Sequence, residues 1–130
     1  MKILLFIIAL FIAVSADAQS RIGYTLSDIR TEYAKSNYKM KLTANANGSS
    51  TFEVHMEKCI VLYILDKDNL CYSSAIFPSN QGVLNWFVEE YNKKYVIMSS
   101  TSWKMYSEGG ISYIKLIIND DSYFFVWTKE

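Results

Sequence analysis

Two stretches of the chain carry apolar residues at helical spacing, and strand-like sequence follows each of them. Thr25-Leu26-Ser27-Asp28 resembles a capping box, which predicts a short helix over about residues 26–35. Ser79 or Asn80 can cap a second helix over about residues 81–93, whose apolar residues form a broad stripe. Because helices with one apolar face must pack against another layer, this order predicts an α+β fold with two short helices on an antiparallel sheet.

The strand predictions rest on alternation of apolar and polar residues and on the turn residues between them. The predicted strands cover residues 38–44, 51–57, 60–65, 70–77, 95–100, 102–106, 111–118 and 122–128. Residues 60–65 are apolar at every position, which predicts a central strand covered on both faces. Pro78 is expected to stop the strand over residues 70–77 because proline has no amide hydrogen to donate.

The two halves of the chain resemble each other. Glu32-Tyr33-Ala34-Lys35 recurs as Glu90-Tyr91-Asn92-Lys93, and each copy ends a helix that leads into strands. This similarity suggests a tandem repeat of one helix and three or four strands, with halves at residues 24–77 and 79–130. The alternative is that two amphipathic helices resemble each other by chance. In either case residues 19–130 form a single α+β domain, since about 110 residues can bury one core.

The N-terminus predicts export from the cytoplasm. Lys2 precedes an apolar run of about a dozen residues, and Ala16-Asp17-Ala18 fits the small-x-small rule for signal-peptide cleavage. The run is shorter than the roughly 20 residues that span a bilayer. Residues 1–18 are therefore a predicted signal peptide, with Gln19 as the mature N-terminus and a secreted or periplasmic protein as the product. The alternative is an uncleaved membrane anchor.

Four resemblances accompany these patterns. Ala18-Gln19 at the cleavage point resembles signal peptides of Bacteroidetes bacteria, and the pattern of elements is similar to small secreted proteins of unknown function from that group. The tandem helix-plus-sheet unit resembles the β-lactamase-inhibitor-protein-like folds and the outer-membrane assembly lipoproteins with a helix pair on a small sheet. Each half here has one helix where those proteins have two. No diagnostic motif is shared, so no functional residue carries over.

Charge and composition exclude some classes of partner. The mature chain keeps 12 basic and 12 acidic residues after Lys2 and Asp17 are removed, and it has no basic cluster. Nucleic-acid binding depends on phosphate neutralisation, so nucleic acid is not expected as a partner, nor is an anionic membrane surface. After signal cleavage no membrane span is expected. No cofactor motif is found in the sequence, so no cofactor is predicted.

Cys59 and Cys71 are predicted to be unpaired thiols, although an exported protein can form disulfides. Asp66 to Asn69 reads as the turn of a hairpin that places Cys71 opposite Ile64 and Cys59 opposite Ile76. The two cysteines would then lie about 15 Å apart along the strands. A disulfide needs Cα atoms within about 7 Å of each other.

The sequence offers thin evidence for catalysis or for a metal site. His55, the only histidine, lies between Glu53 and Glu57 on one strand face, which could make a base or a weak metal site. An exposed strand histidine is the simpler interpretation, so no metal ligand and no catalytic residue is predicted. Cys59, four residues away, could pair with His55 as nucleophile and base. A small hydrolase or thiol enzyme centred on His55 and Cys59 is therefore kept as an alternative.

Aromatic residues near the C-terminus are the most informative feature for function. The alternation places Tyr123, Phe125 and Trp127 on one face of the last strand, and the preceding strand adds Tyr113. Both faces of this hairpin are apolar, so one face is left for a partner unless the sheet curls and buries both. We therefore expect a non-enzymatic binding module with a protein as its partner, which uses these four residues. A structural homodimer through the same face is the other alternative.

Overall fold

A computed structural model describes residues 21–107 and 109–130. The predicted signal peptide over residues 1–18 lies outside the described residues. Helix α1 and strands β1 to β4 form the first half, and helix α2 and strands β5 to β8 form the second. The first half comprises α1 Leu26–Tyr33, β1 Lys39–Ala44, β2 Ser50–His55, β3 Cys59–Leu65 and β4 Cys71–Pro78. The second comprises α2 Gln81–Lys94, β5 Val96–Ser99, β6 Ser102–Ser107, β7 Gly110–Ile118 and β8 Tyr123–Lys129.

Both helices begin at the capping residues that the sequence indicates. The Thr25 hydroxyl accepts a hydrogen bond from the backbone N–H of Asp28, and the Asp28 carboxylate accepts one from the backbone N–H of Thr25. The Asn80 side chain accepts a bond of 2.9 Å from the backbone N–H of Val83. These contacts satisfy amide groups that a helix N-terminus otherwise leaves without partners.

All eight strands form one antiparallel sheet in the order β1-β2-β3-β4-β8-β7-β6-β5. Each half is a meander, and the last strand of one half pairs with the last strand of the other, from Ser73 opposite Thr128 to Ile76 opposite Phe125. The predicted α+β class with two helices on an antiparallel sheet is confirmed. The same order of elements, one helix followed by four strands, occurs twice, while a duplication of sequence stays a prediction.

The core lies between the helices and one face of the sheet, which we call the helix-covered face. Tyr33 from α1 reaches Tyr63 on β3, and their hydroxyl oxygens are 2.6 Å apart. Tyr91 from α2 packs edge-on against Phe125 and Trp127, with ring centroids 5.0 and 5.6 Å away. Both helices therefore cover the same side of the sheet, and aromatic rings make up much of the contact.

The start of the described chain is hydrogen-bonded to the first residue of β4. The backbone N–H of Gly23 donates to the carbonyl of Cys71, and the N–H of Cys71 donates to the carbonyl of Tyr24. Arg21 is buried and forms an ion pair with Glu32 of α1. This segment therefore ties helix α1 to the centre of the sheet by both backbone and charge.

The structure corrects two expectations for the β3–β4 hairpin. Cys71 lies opposite Leu65 instead of Ile64, because the backbone N–H of Asp66 already bonds the carbonyl of Leu70 and the turn is shorter than expected. A bulge between Ile64 and Leu65 then shifts the remaining pairs by one more residue, so Cys59 lies opposite Pro78. In β3 the alternate residues Val61, Tyr63 and Leu65 are buried, whereas Ile60, Leu62 and Ile64 are half-buried. The expectation that β3 is covered on both faces is wrong, because both helices pack on one side.

Within residues 21–107 and 109–130, none of the helices is long and apolar enough to cross a membrane.

Candidate functional site

Two of the four predicted binding residues belong to the core. Phe125 and Trp127 have no exposed surface, because helix α2 covers them through Phe87 and Tyr91. Tyr123 lies on the same face and is half-buried against the core. The prediction that this aromatic face is open to a partner is wrong for Phe125 and Trp127, since a helix occupies the space that a partner would need.

Tyr113 lies on the opposite face from the other three. The register places Tyr113 opposite Thr128 and Ile114 opposite Trp127. Directly opposed residues of paired strands share a face, so Tyr113 accompanies Phe124 and Val126 and not Phe125. Grouping Tyr113 with Trp127 was an error of register, which a one-residue shift between strands is enough to cause.

The second face of the sheet carries no helix among the described residues, and we call it the helix-free face. Its middle is a band of half-buried apolar side chains that runs across four neighbouring strands, β3, β4, β8 and β7. Phe77 and Phe124 stack at its centre with ring centroids 5.0 Å apart. The members of this central band are Ile60, Leu62, Ile64, Phe77, Phe124, Val126 and Ile117.

Small residues keep the central band continuous where β4 crosses it. Ala75 lies between Leu62 on β3 and Val126 on β8, and the larger neighbours bury it. Ser73 is also buried, and its hydroxyl donates a hydrogen bond of 2.9 Å to the carbonyl of Trp127. Neither residue exposes a polar group to solvent at this point, so the apolar surface continues from β3 across β4 to β8.

Charged residues flank the central band on both sides. Lys39 and Lys41 lie on β1, beyond Glu53, which bonds His55 through a contact of 2.9 Å between Oε2 and Nε2. On the far side Lys104 and Lys115 lie on β6 and β7. All four lysines lie on the helix-free face by register, so cations border the apolar surface at both ends.

Two tyrosines form a small polar cluster with one of these lysines. The Lys104 Nζ lies 5.3 Å from the ring centroid of Tyr106 and 5.6 Å from that of Tyr113. The Tyr113 hydroxyl donates a bond of 3.0 Å to the Glu130 carboxylate, which raises the pKa of Tyr113. A hydrogen bond with Tyr106 raises the pKa of Lys104, so this ammonium stays charged. The cluster therefore presents one fixed cation between two aromatic rings.

His55 and Cys59 do not come together. His55 lies opposite Ile60 on the helix-free face, whereas Cys59 follows the parity of Val61 and packs against the core on the other face. The Cys59 thiol contacts the Met56 sulfur at 4.0 Å, and burial raises the pKa of Cys59 to about 11. A thiol with so high a pKa is a poor nucleophile at neutral pH, so the nucleophile–base pair considered from the sequence is not formed.

Both cysteines are free thiols, at opposite ends of the β3–β4 hairpin. Cys71 is buried, and its Sγ donates to the carbonyl of Ser73 at 3.3 Å. Burial raises the pKa of Cys71 to about 11 as well. The oxidation state of the two cysteines stays a prediction, which thiol titration of the denatured, unreduced protein tests.

The acidic turn between β3 and β4 uses its carboxylate internally. Asp66 Oδ1 accepts hydrogen bonds from the backbone N–H groups of Asp68, at 2.8 Å, and Leu70, at 3.0 Å. Asn69 adopts a positive φ of 61°, which asparagine tolerates well in turns. No three His, Cys, Asp or Glu side chains within residues 21–107 and 109–130 are grouped so that they could hold a metal ion.

Comparison with models of known protein families, with curated proteins and with solved structures found no match for this chain. The surface itself therefore carries the functional argument. Sequence reasoning missed the central band, although the continuous apolar run in β3 and the apolar Phe124 and Val126 were visible signals. Placing them on one surface required the order of strands, which joins β4 to β8 across the middle of the sheet.

Proposed function

We propose that this chain is an exported, non-enzymatic binding module that captures a protein partner on the helix-free face of its sheet. The observation that carries this proposal is the central band, in which apolar side chains from four adjacent strands remain partly exposed to solvent. An apolar patch of this extent on one side of a domain is typical of an interaction surface.

The chemistry of the face favours a protein with an apolar centre and an acidic rim. Stable protein interfaces combine a desolvated apolar core with a polar margin, and here the stacked pair Phe77 and Phe124 lies at the centre. The margin contains four lysines and the two carboxylates of Glu53 and Glu130, so positive charge is in excess among these groups. Complementary charge speeds association and selects partners, so acidic groups on the partner should face these lysines.

Site-specific photocrosslinking in cells that export the protein tests which face binds. Ile117 and Ile118 are neighbours on β7 that point to opposite faces, and Ile118 is the more exposed at 64 %. With benzoylphenylalanine at Phe124 or at Ile117, we expect the same crosslinked partner in both cases. At Ile118 we expect none, even though that position is more accessible. Equal crosslinking from Ile118, or none from Phe124 and Ile117, contradicts the proposal.

A second experiment tests the charged margin with the partner that the crosslinks identify. The double variant Lys41→Glu and Lys115→Glu should slow association by about tenfold or more and remove most of its salt dependence. Lys67→Glu in the β3–β4 turn is a matched control, because it makes one of the same charge changes away from the face. An unchanged association rate in the double variant would restrict the partner's contact to the apolar band.

The homodimer alternative was predicted through the face of Phe125 and Trp127, which α2 covers, so a homodimer would have to use the helix-free face instead. The same crosslinks test it. A crosslinked product with twice the mass of the chain would identify a second copy as the occupant. A product of any other mass would identify a different protein. Sedimentation of the purified protein gives the independent measurement, because a homodimer dissociates as its own concentration falls.

A further inference from the structure

The edge of the sheet at β5 and β6 has a step. Strand β5 has four residues and pairs with β6 only as far as Val96 opposite Lys104, whereas β6 continues for three more residues to Ser107. At the step, Tyr95 connects the C-terminal end of helix α2 to the first residue of β5. A hollow of about 360 Å³ lies in this place, which we call the edge notch. Its lining residues are Lys94, Tyr95, Val96, Lys104, Met105 and Tyr106.

The hydrogen-bond pattern directs one free backbone unit into the edge notch. The N–H of Leu116 on β7 donates to the carbonyl of Thr101, and the carbonyl of Ile111 on β7 accepts from Glu130 beside β8. Backbone groups along a strand of an antiparallel ladder alternate in direction. The N–H and C=O of Ile111 point to β8, so those of Tyr106, the residue opposite Ile111 on β6, point away from β7. The N–H and C=O of Tyr106 therefore face the side where β5 has already ended.

The walls of the notch combine apolar surface with positive charge. Val96 and Tyr106 are exposed by 48 % and 62 %, so each offers apolar surface that nothing else in the described chain covers. Lys94 and Lys104 are the charged residues of the lining, and none of its members among residues 21–107 and 109–130 is a carboxylate. Lys94 is 3.7 Å from Glu90 on α2, while Lys104 lies over the rings of Tyr106 and Tyr113. Glu90 and Glu130 interact with these lysines from outside the described lining, so a negative charge of the occupant would meet ammonium groups within the notch itself.

We propose that the edge notch binds the carboxyl-terminal end of an extended peptide, whose backbone pairs with Tyr106 and whose terminal carboxylate meets Lys94 and Lys104. Strand addition to an exposed sheet edge and capture of a terminal carboxylate are both known modes of peptide recognition. The volume suits a chain end of two or three residues rather than a strand that passes through. The site shares Lys104 with the margin of the helix-free face, but binding of a peptide end here does not rest on the proposed function of that face.

A second copy of the chain fits this edge less well than a peptide. Pairing through β5 alone would use four residues on each side. Stable interfaces bury about 1,200–2,000 Å² in total, which is far more than two such short strands can cover. The opposite edge of the sheet offers no equivalent, because β1 pairs with β2 along all six of its residues and leaves no step.

Nuclear magnetic resonance titration of the purified protein tests the proposal. The probes are N-acetylated tripeptides that end in Val, Leu or Phe, each made as the free acid and as the amide. At up to about 5 mM, where a Kd of about 1 mM is measurable, at least one free acid should shift the backbone amides of Val96 and Tyr106. The matching amide should bind about tenfold more weakly, because it lacks the charge that the lysines attract.

Three variants complete the experiment. Lys104→Met and Lys94→Met remove one charge each while keeping an apolar stem, and each should weaken binding of the free acid severalfold. Lys93→Met is the matched control, because that side chain is 72 % exposed and does not line the notch. Equal binding of acids and amides overturns the proposal, and so does the absence of shifts at Tyr106. Concentration-dependent shifts of β5 without peptide would assign the edge to a second copy and overturn it too.

Discussion

Phe124 and Phe125 are neighbours on β8 that point to opposite faces of the sheet, and their environments differ greatly. Phe125 has no exposed surface and touches Phe87 and Tyr91 of helix α2. Phe124 stacks on Phe77 and stays half in water. The comparison shows that apolar residues on both faces of a sheet do not imply burial on both faces. Two helices on one side are enough to close a core, and the other side stays available.

The largest contrast between the faces should appear in the free energy of unfolding. Trp127→Ala removes a fully buried ring from beneath helix α2, and we expect a loss of about 3–5 kcal/mol. Phe124→Ala should cost only about 1–2 kcal/mol, because part of that ring is already in water. Urea unfolding followed by circular dichroism measures both. Equal losses would mean that the helix-free face is a second core.

The rate of thiol alkylation should differ by about two orders of magnitude between buried Cys71 and a cysteine introduced on the helix-free face. The thiol pKa of Cys71 is about 11, so its thiolate fraction at pH 8 is about a hundredfold below that of an ordinary thiol. Thr128→Cys, made in a Cys71→Ala background, places a thiol at an exposed position of the helix-free face. Iodoacetamide labelling at pH 8 should modify the introduced thiol in that variant much faster than it modifies Cys71 in the parent chain. Equal rates would show that the hairpin opens readily.

The thiols of Cys59 and Cys71 make the stability of the fold sensitive to alkali. The folded chain holds the protons of Cys59 and Cys71 more tightly than the unfolded chain does, because burial raises both pKa values to about 11. Their contribution to stability is therefore complete below about pH 9 and is lost as the pH rises towards 11. Urea midpoints between pH 8 and 10.5 should fall, and Cys71→Ala should make the decline shallower. Burial also raises the pKa of Tyr63 and of Tyr91, which adds to the decline at its upper end.

A hydroxyl contact offers a smaller and more local comparison. Tyr33→Phe removes one partner of the buried 2.6 Å pair with Tyr63, and we expect a loss of about 1–2 kcal/mol. Tyr113→Phe removes a hydroxyl that bonds Glu130 at the surface of the helix-free face. That change should cost less than about 0.5 kcal/mol. Thermal unfolding of the two variants gives the comparison, and a larger loss for Tyr113→Phe would reverse it.

The smallest expected effect concerns the helix that covers the first half of the sheet. Thr25→Ala removes the N-cap of α1 and should cost about 1 kcal/mol. Thr128→Ala, on the exposed part of the helix-free face, should change stability by less than about 0.5 kcal/mol. Hydrogen exchange of the α1 amides should rise in the first variant alone. Exchange that rises equally in both would show that α1 is not held by its cap.

Much of the local structure follows from neighbouring residues in the chain. The capping contacts of Thr25 and Asn80 join residues three positions apart, so the sequence alone indicates where both helices begin. Strand positions follow in the same way from alternation within each segment. The bulge at Ile64 and Leu65 was not predictable, because the hydrogen bond between Gly23 and Cys71 that accompanies it joins distant parts of the chain.

The candidate surface was predictable only in part. The sequence by itself determined that β8 has two apolar faces, because alternation along one strand is a local property. Only the tertiary structure decided that α2 covers Phe125 and Trp127, and that Phe124 joins Phe77 and Leu62 on the open side. The reason is physical: local spacing sets which way each side chain points. The face that a helix then buries depends on contacts between residues far apart in the chain, and no local pattern records them.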